Sequence, residues 1–252
     1  IVAFMPALSP ITGSILLSYF GWRSIFVFFL ILLFATLIWF LFRFPETHLK
    51  RGELKLHQAF KQYGALIRSP HFWRYSICYA AFTGTLLGYY GAMPFWYVSQ
   101  WGVADKHYAY LALFSVAAYM ISLLLCRYLV KRIALDTLLM AALVLGVLSG
   151  FIALALSFFH LHGVIYLVLI MSLFAFSVGM IFPTANAGVL NVFHHRAAIA
   201  SALMTFFTFG MTGVFSWIES HYNVLSLWPP AIGITITSLI ALVSFKLLSR
   251  AR

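Results

Sequence analysis

The chain has 252 residues, 63% of them hydrophobic and only 8% charged. A soluble domain carries about 25% charged residues, so a water-soluble globule is excluded. The formal net charge of +11 would suggest a nucleic-acid partner in a soluble protein. Here the bases flank long apolar blocks, where orientation in a bilayer explains them, and no nucleic-acid partner is expected.

The apolar blocks are about 20 residues long, enough to carry an α-helix across a hydrocarbon core of roughly 30 Å. Eight such spans are predicted in chain order: Ile1–Phe20, Ser24–Phe42, Ile77–Val98, Tyr108–Cys126, Thr137–Phe158, Val164–Val189, Ala197–Ile218 and Leu227–Phe245. The expected fold class is an all-α membrane protein. The chain opens on Ile1, directly into an apolar block and without a basic leader or small-residue cleavage site, as a fragment or truncated product would. Cys78 and Cys126 both fall inside spans, so neither a disulfide framework nor a metal motif is expected.

The loops set an orientation. Of the 16 Lys and Arg residues, 14 fall in one set of loops and the C-terminal tail, and only Arg23 and Lys106 in the other. Cytoplasmic loops carry the Lys/Arg excess, so both ends of the chain are expected in the cytoplasm. The one long polar stretch, residues 43–74, is expected to link residues 1–42 to a six-helix bundle over 75–252. Within it Leu56, Phe60, Tyr63 and Ile67 share one helical face, with Lys55, Lys61 and Arg68 mostly elsewhere. That pattern predicts an amphipathic helix on the cytoplasmic membrane surface, the alternative being a solvated linker.

Catalytic signatures such as GxSxG, HExxH or a phosphate-binding GxxxxGK[ST] are missing; no enzyme activity and no cofactor are expected. The five acids are Glu46, Glu53, Asp105, Asp136 and Glu219. None lies near a predicted midplane, where a proton or ion site would need one; Glu219, at the outer end of the seventh span, is the single candidate. His160, His162, His194 and His195 read as interfacial, and no bound metal is expected.

Three spans carry distinctive residues. In the third, Gly84, Gly88 and Gly91 share a face, which permits close helix approach and bending. Tyr89, Tyr90, Met93, Phe95 and Trp96 follow. For Tyr89, Tyr90 and Met93 a cavity wall and lipid-facing bulk are both open readings; Trp96, Tyr97 and Trp101 read as an interfacial aromatic belt. In the sixth, Pro183 frees a backbone carbonyl, with Phe182 and Asn186 beside it. The seventh holds Ala200-Ser201-Ala202, then Phe206, Phe207, Gly210 and Gly213.

The first span carries Ser9-Pro10-Ile11-Thr12-Gly13-Ser14, followed by Gly21-Trp22-Arg23-Ser24-Ile25-Phe26. This resembles the antiporter motif of the fifth helix in the major facilitator superfamily, where GPxxGG precedes a GWRxxF turn; Ser9 and Ser14 stand where that pattern has glycine. Phe44-Pro45-Glu46-Thr47 looks like the motif that closes the family's sixth helix, and Gly179, Pro183 and Ala200-Ser201-Ala202 look like parts of its tenth and eleventh. In order and spacing the set resembles the drug:proton antiporters of the bicyclomycin/chloramphenicol-resistance type, with this chain as helices five to twelve.

The resemblance implies two helices of an N-terminal bundle followed by a six-helix C-terminal bundle, in a multi-pass protein of the inner membrane. It implies efflux of small amphipathic compounds by alternating access, with protons as the coupling ion and the complete protein a monomer. The coupling acid would lie in the family's first four helices. Tyr89, Tyr90, Met93, Phe182, Asn186 and Phe206 would line the substrate cavity. Pro10, Gly13, Arg23, Gly84, Gly88 and Gly91 would serve gating. Transport of one specific metabolite, or an inactive truncated membrane protein, are the alternatives.

Overall fold

A computed structural model describes residues 5–43, 56–94, 96–97, 101–102, 105–161, 163–221 and 228–250. The Phe44-Pro45-Glu46-Thr47 stretch and Phe95 lie outside the described residues, as do the side chains of Pro10, Asp105 and Glu219. Every regular element among the described residues is helical: α1 (Met5–Phe20), α2 (Arg23–Arg43), α3 (Leu56–Ile67), α4 (Pro70–Pro94), α5 (Asp105–Leu129), α6 (Leu135–Phe158), α7 (Val164–Val192), α8 (Ala197–His221) and α9 (Trp228–Arg250). In lipid a helix satisfies all its backbone groups internally, and these apolar sequences have no other way to span.

Among the described residues six helices are long and apolar enough to cross a membrane: α2, α5, α6, α7, α8 and α9. Two expected spans fall short of that standard. The helical part of α1 has 16 residues. In α4 the apolar run is diluted by Tyr79, Thr83, Gly84, Thr85, Gly88, Tyr89 and Tyr90. It also starts earlier than expected, at Pro70 rather than Ile77. Proline at a helix start loses no intrahelical bond, because that donor has no partner anyway.

The chain divides into two compact units, Ile1–Ala59 and Phe60–Arg252. In the first, α1 and α2 pack on each other through a turn at Gly21. Gly21 sits at φ +76°, a left-handed conformation that glycine adopts without Cβ strain. Its N–H donates to the carbonyl of Leu17 at 3.1 Å, and the Ser24 hydroxyl donates to the carbonyls of Leu16 (3.1 Å) and Gly21 (2.6 Å). Trp22 then meets Phe26 edge-on at 6.0 Å, with the Arg23 guanidinium 5.2 Å from the Trp22 ring. The Gly-Trp-Arg-x-x-Phe pattern is thus a helix-turn-helix clasp.

The second unit is a helical bundle. α4 packs against α7, α8 and α9; α7 also packs against α5 and α6, and α6 against α9. Small residues let the backbones approach, since lipid supplies no hydrophobic drive between helices. A Cβ at Gly84 would stand 2.7 Å from Cβ of Met211, and one at Gly88 2.7 Å from Cβ of Phe215, so α4 lies directly on α8. Gly146 and Gly150 of α6 receive Phe82 and Thr235, and Gly179 and Gly188 of α7 receive Ser122 and Tyr75. At the centre Phe82 and Phe174 stack with ring centroids 5.3 Å apart. Cys78 and Cys126 are free, buried thiols.

One end of the bundle gathers the N-termini of α4, α6 and α8 with the C-termini of α5, α7 and α9. Arg74 donates to Asp136 at 2.7 Å, and the Tyr75 hydroxyl donates to the other carboxylate oxygen at 2.8 Å. The Arg74 guanidinium also lies 4.4 Å from the Phe245 ring, so one arginine ties α4 to α6 and α9. Phe72 meets Phe193 at 6.3 Å, and Trp73 meets Phe207 at 4.9 Å. The same end exposes Lys61, Arg68, Arg127, Lys131, Arg132, Arg196 and Lys246.

Candidate functional site

The residues that could face a solute lie where α4, α5 and α7 meet. On α4, Tyr79, Thr83 and Tyr90 are four and seven residues apart, which places them within about 40° of one another around the axis. On α5, Ser115, Tyr119 and Ser122 form a similar stripe, and on α7 Phe182 and Asn186 lie one turn apart. These stripes converge. The Tyr79 and Phe182 rings sit 5.3 Å apart and the Tyr90 and Ser115 hydroxyls hydrogen-bond at 3.2 Å, with Tyr119 one turn along α5 from Ser115. Tyr79, Thr83, Tyr90, Tyr119, Phe182 and Asn186 are all half-buried, and the Thr83 hydroxyl is buried without a hydrogen-bond partner. The wall is aromatic and hydroxylic. It offers large contact area, a few donors and no formal charge.

The candidates read from sequence separate into three places. Tyr90, Phe182 and Asn186 belong to this wall. Tyr89 and Met93 are buried, at 1% and 2% exposure, inside a cluster at the other end of α4 from the Arg74 tie. There the Tyr89 and Tyr97 hydroxyls bond at 2.9 Å and Trp96 packs on Tyr89 at 6.0 Å. Trp96 and Tyr97, expected in an interfacial belt, are fully buried at 0% exposure. The Tyr89–Tyr97 hydroxyl pair accounts for Tyr97's burial, since the bond satisfies a group that a belt tyrosine would offer to water. Phe206 is 70% exposed on α8, its ring 5.5 Å from that of Phe207.

Among the gating candidates, Gly84, Gly88 and Gly91 form the face of α4 that lies on α8; a Cβ at Gly91 would stand 3.2 Å from the Ser216 hydroxyl oxygen. Around Gly13 a Cβ would meet nothing within 4 Å. Arg23 stacks on Trp22 in the α1–α2 turn. Tyr79, Thr83 and Tyr119 are additions from the structure. A signal was present in the eleven-residue interval from Tyr79 to Tyr90, three full turns of helix.

A family model described as Major Facilitator Superfamily matches residues 1–216. The chain belongs to the major facilitator superfamily. It is a multi-pass membrane protein of a transporter family, with a partial all-α facilitator fold. No curated protein matches the chain closely enough to add a named relative.

Proposed function

We propose that this facilitator exports small amphipathic compounds by alternating access, coupled to protons, from the inner membrane, with both ends of this chain cytoplasmic. In this reading the chain supplies the family's helices five to twelve, the complete protein works as a monomer, and solute sits near the midplane between two rocking bundles. The observation that carries the reading is the wall of Tyr79, Thr83, Tyr90, Tyr119, Phe182 and Asn186. Aromatic faces adapt to several shapes of apolar solute, and scattered hydroxyls orient a solute without demanding one fixed pattern. Tyr89 and Met93 back this wall from the buried cluster, and Phe206 offers an exposed ring on α8 to the same solute. Gly84, Gly88 and Gly91 let α4 slide or bend against α8, and Pro10 and Gly13 form a second gating element on α1.

Proton coupling needs a titrating group, and no acid occurs in the sequence between Asp136 and Glu219 or between Glu53 and Asp105. We assign coupling to a carboxylate outside the wall. The decisive experiment is uptake and resistance profiling of the complete protein in vesicles, with and without an imposed proton gradient. Alanine at Tyr90, Phe182 or Asn186 is expected to alter the range of compounds carried more than the protein level. Unaltered profiles in all three variants, or transport indifferent to the gradient, would refute the respective half of the proposal.

A further inference from the structure

The helix that opens the second unit is amphipathic in an unequal way. On α3, Leu66 is fully buried against the bundle at 0% exposure, and Tyr63 packs on the same core. The Trp73 indole N–H donates to the carbonyl of Ile67 at 2.6 Å, which caps the end of α3 and fixes its angle to α4. The other flank of the same apolar arc is open, with Phe60 72% and Ile67 43% exposed. The sequence expectation placed Ile67 with Tyr63 on one membrane-facing side. The arc instead divides between protein and surroundings, because Leu66 turns toward the bundle.

The open flank is bordered by exposed Lys61 and Arg68, neither of which has an ion pair among the described residues. No acid occurs in the sequence between Glu53 and Asp105. Across the whole basic end of the bundle, Asp136 is the one acid among the described residues, and Arg74 already occupies it. Seven exposed bases remain there without a carboxylate to answer them.

We infer that this end is a lipid-recognition surface: α3 rests one flank on the bundle and lays Phe60 and Ile67 into the acyl boundary of an anionic leaflet, whose phosphates are held by Lys61, Arg68 and the neighbouring bases. An apolar pair rimmed by unpaired cations is the chemistry of an interfacial helix on negatively charged lipid. Long basic side chains reach from that depth to the phosphate level. The inference rests on membrane embedding alone and stands independently of what the protein carries.

The test uses the full chain in lipid nanodiscs, with a spin label on Phe60→Cys and, as the opposite-face control, on Ala65→Cys. The two native thiols are buried, and unsubstituted protein measures their background labelling. In discs rich in phosphatidylglycerol the label at position 60 is expected about 5–10 Å below the headgroup boundary, accessible to oxygen and shielded from an aqueous nickel chelate. The label at position 65 is expected in water. Phosphatidylcholine discs, high salt, or Lys61→Gln with Arg68→Gln should each move the position-60 label outward. If the labelled variants fold poorly, hydrogen exchange on the unsubstituted chain gives the second reading: amides of Phe60–Ile67 should exchange several-fold more slowly in anionic discs. A label equally buried in both lipids and indifferent to salt would mean that protein covers this flank, and would overturn the inference. So would a water-exposed label in both.

Discussion

Helices α2 and α7 are nearly equal in apolarity and opposite in fate. Their best windows have mean hydropathies of 3.0 and 2.5, yet none of the α2 window is buried and 61% of the α7 window is. Apolar length establishes that a helix can cross a bilayer; it does not say whether the helix packs. Among the described residues α2 packs on α1, whereas α7 packs on α4, α5, α6 and α8, and the two helices also differ in side-chain size. α2 is a run of Phe, Leu, Ile and Trp relieved mainly by Ser24, Ala35 and Thr36. α7 carries Ala175, Ser177, Gly179, Thr184, Ala185 and Gly188, all buried. Where lipid tails are as apolar as leucine, close packing decides association, and the small residues of α7 favour it.

A large effect follows from close contact at one small residue. Gly179→Ala puts a methyl against the Ser122 side chain and the Tyr119 carbonyl, and backbone cannot yield as a flexible side-chain end can. Overpacking of this kind costs about 1–3 kcal/mol, and the upper part of that range is expected here. Thermal unfolding in detergent should show a clear fall in midpoint. Gly13→Ala, which meets open space, should leave it in place. Equal losses in the two variants would break the link between small residues and packing.

A second effect concerns the polar tie. Asp136→Asn removes the charge that answers Arg74, whose side chain is 16% exposed against 46% for Asp136. The pair lies between a surface bridge and a buried one, so a loss of about 1–3 kcal/mol is expected. Arg74→Lys should lose stability too, because an ammonium keeps the charge opposite Asp136 but lacks the flat guanidinium face that lies over Phe245. If Arg74→Lys were as stable as the native chain, the stacking on Phe245 would be irrelevant.

These contacts mark the limit of what the sequence made legible. The all-helical class, the positions of most spans and the α4 glycine face could be read from apolar length, loop charge and spacing. The Arg74–Asp136 tie could not, because its partners stand 62 residues apart and pair only once α4 and α6 lie side by side. Tyr79 and Tyr119 were overlooked although their stripes are regular, since a stripe shows which residues share a face and not which face meets another helix. Burial of Trp96 and Tyr97 was missed for the same reason: an aromatic at a span end looks alike whether it fills a cluster or meets the headgroups.

A smaller effect tests the wall. Tyr119→Phe removes one hydroxyl from the half-buried surface shared by α4, α5 and α7 and keeps the ring. One net hydrogen bond is worth about 0.5–1.5 kcal/mol, so apparent affinity for solutes bearing an acceptor should fall roughly two- to tenfold, while wholly apolar solutes should be unaffected. Competition uptake with matched pairs of compounds measures the difference. A uniform loss for both classes would identify the Tyr119 hydroxyl as structural instead of a contact for solute.

The smallest expected effect returns to α2. Leu33 is 61% exposed, and Leu33→Ala removes no buried contact; a hydropathy of 3.0 leaves the window well able to span. Stability should change by no more than about 0.5 kcal/mol, as for surface positions generally. The matched change in α7, Phe174→Ala, deletes a 0%-exposed ring that stacks on Phe82 and should cost about 3–5 kcal/mol. Measured side by side in the complete protein, the two variants convert the comparison between the helices into a ratio of stabilities. Should Leu33→Ala cost as much as Phe174→Ala, the exposed face of α2 is covered by another part of the protein, and bulk would then prove as able as smallness to hold helices together in this fold.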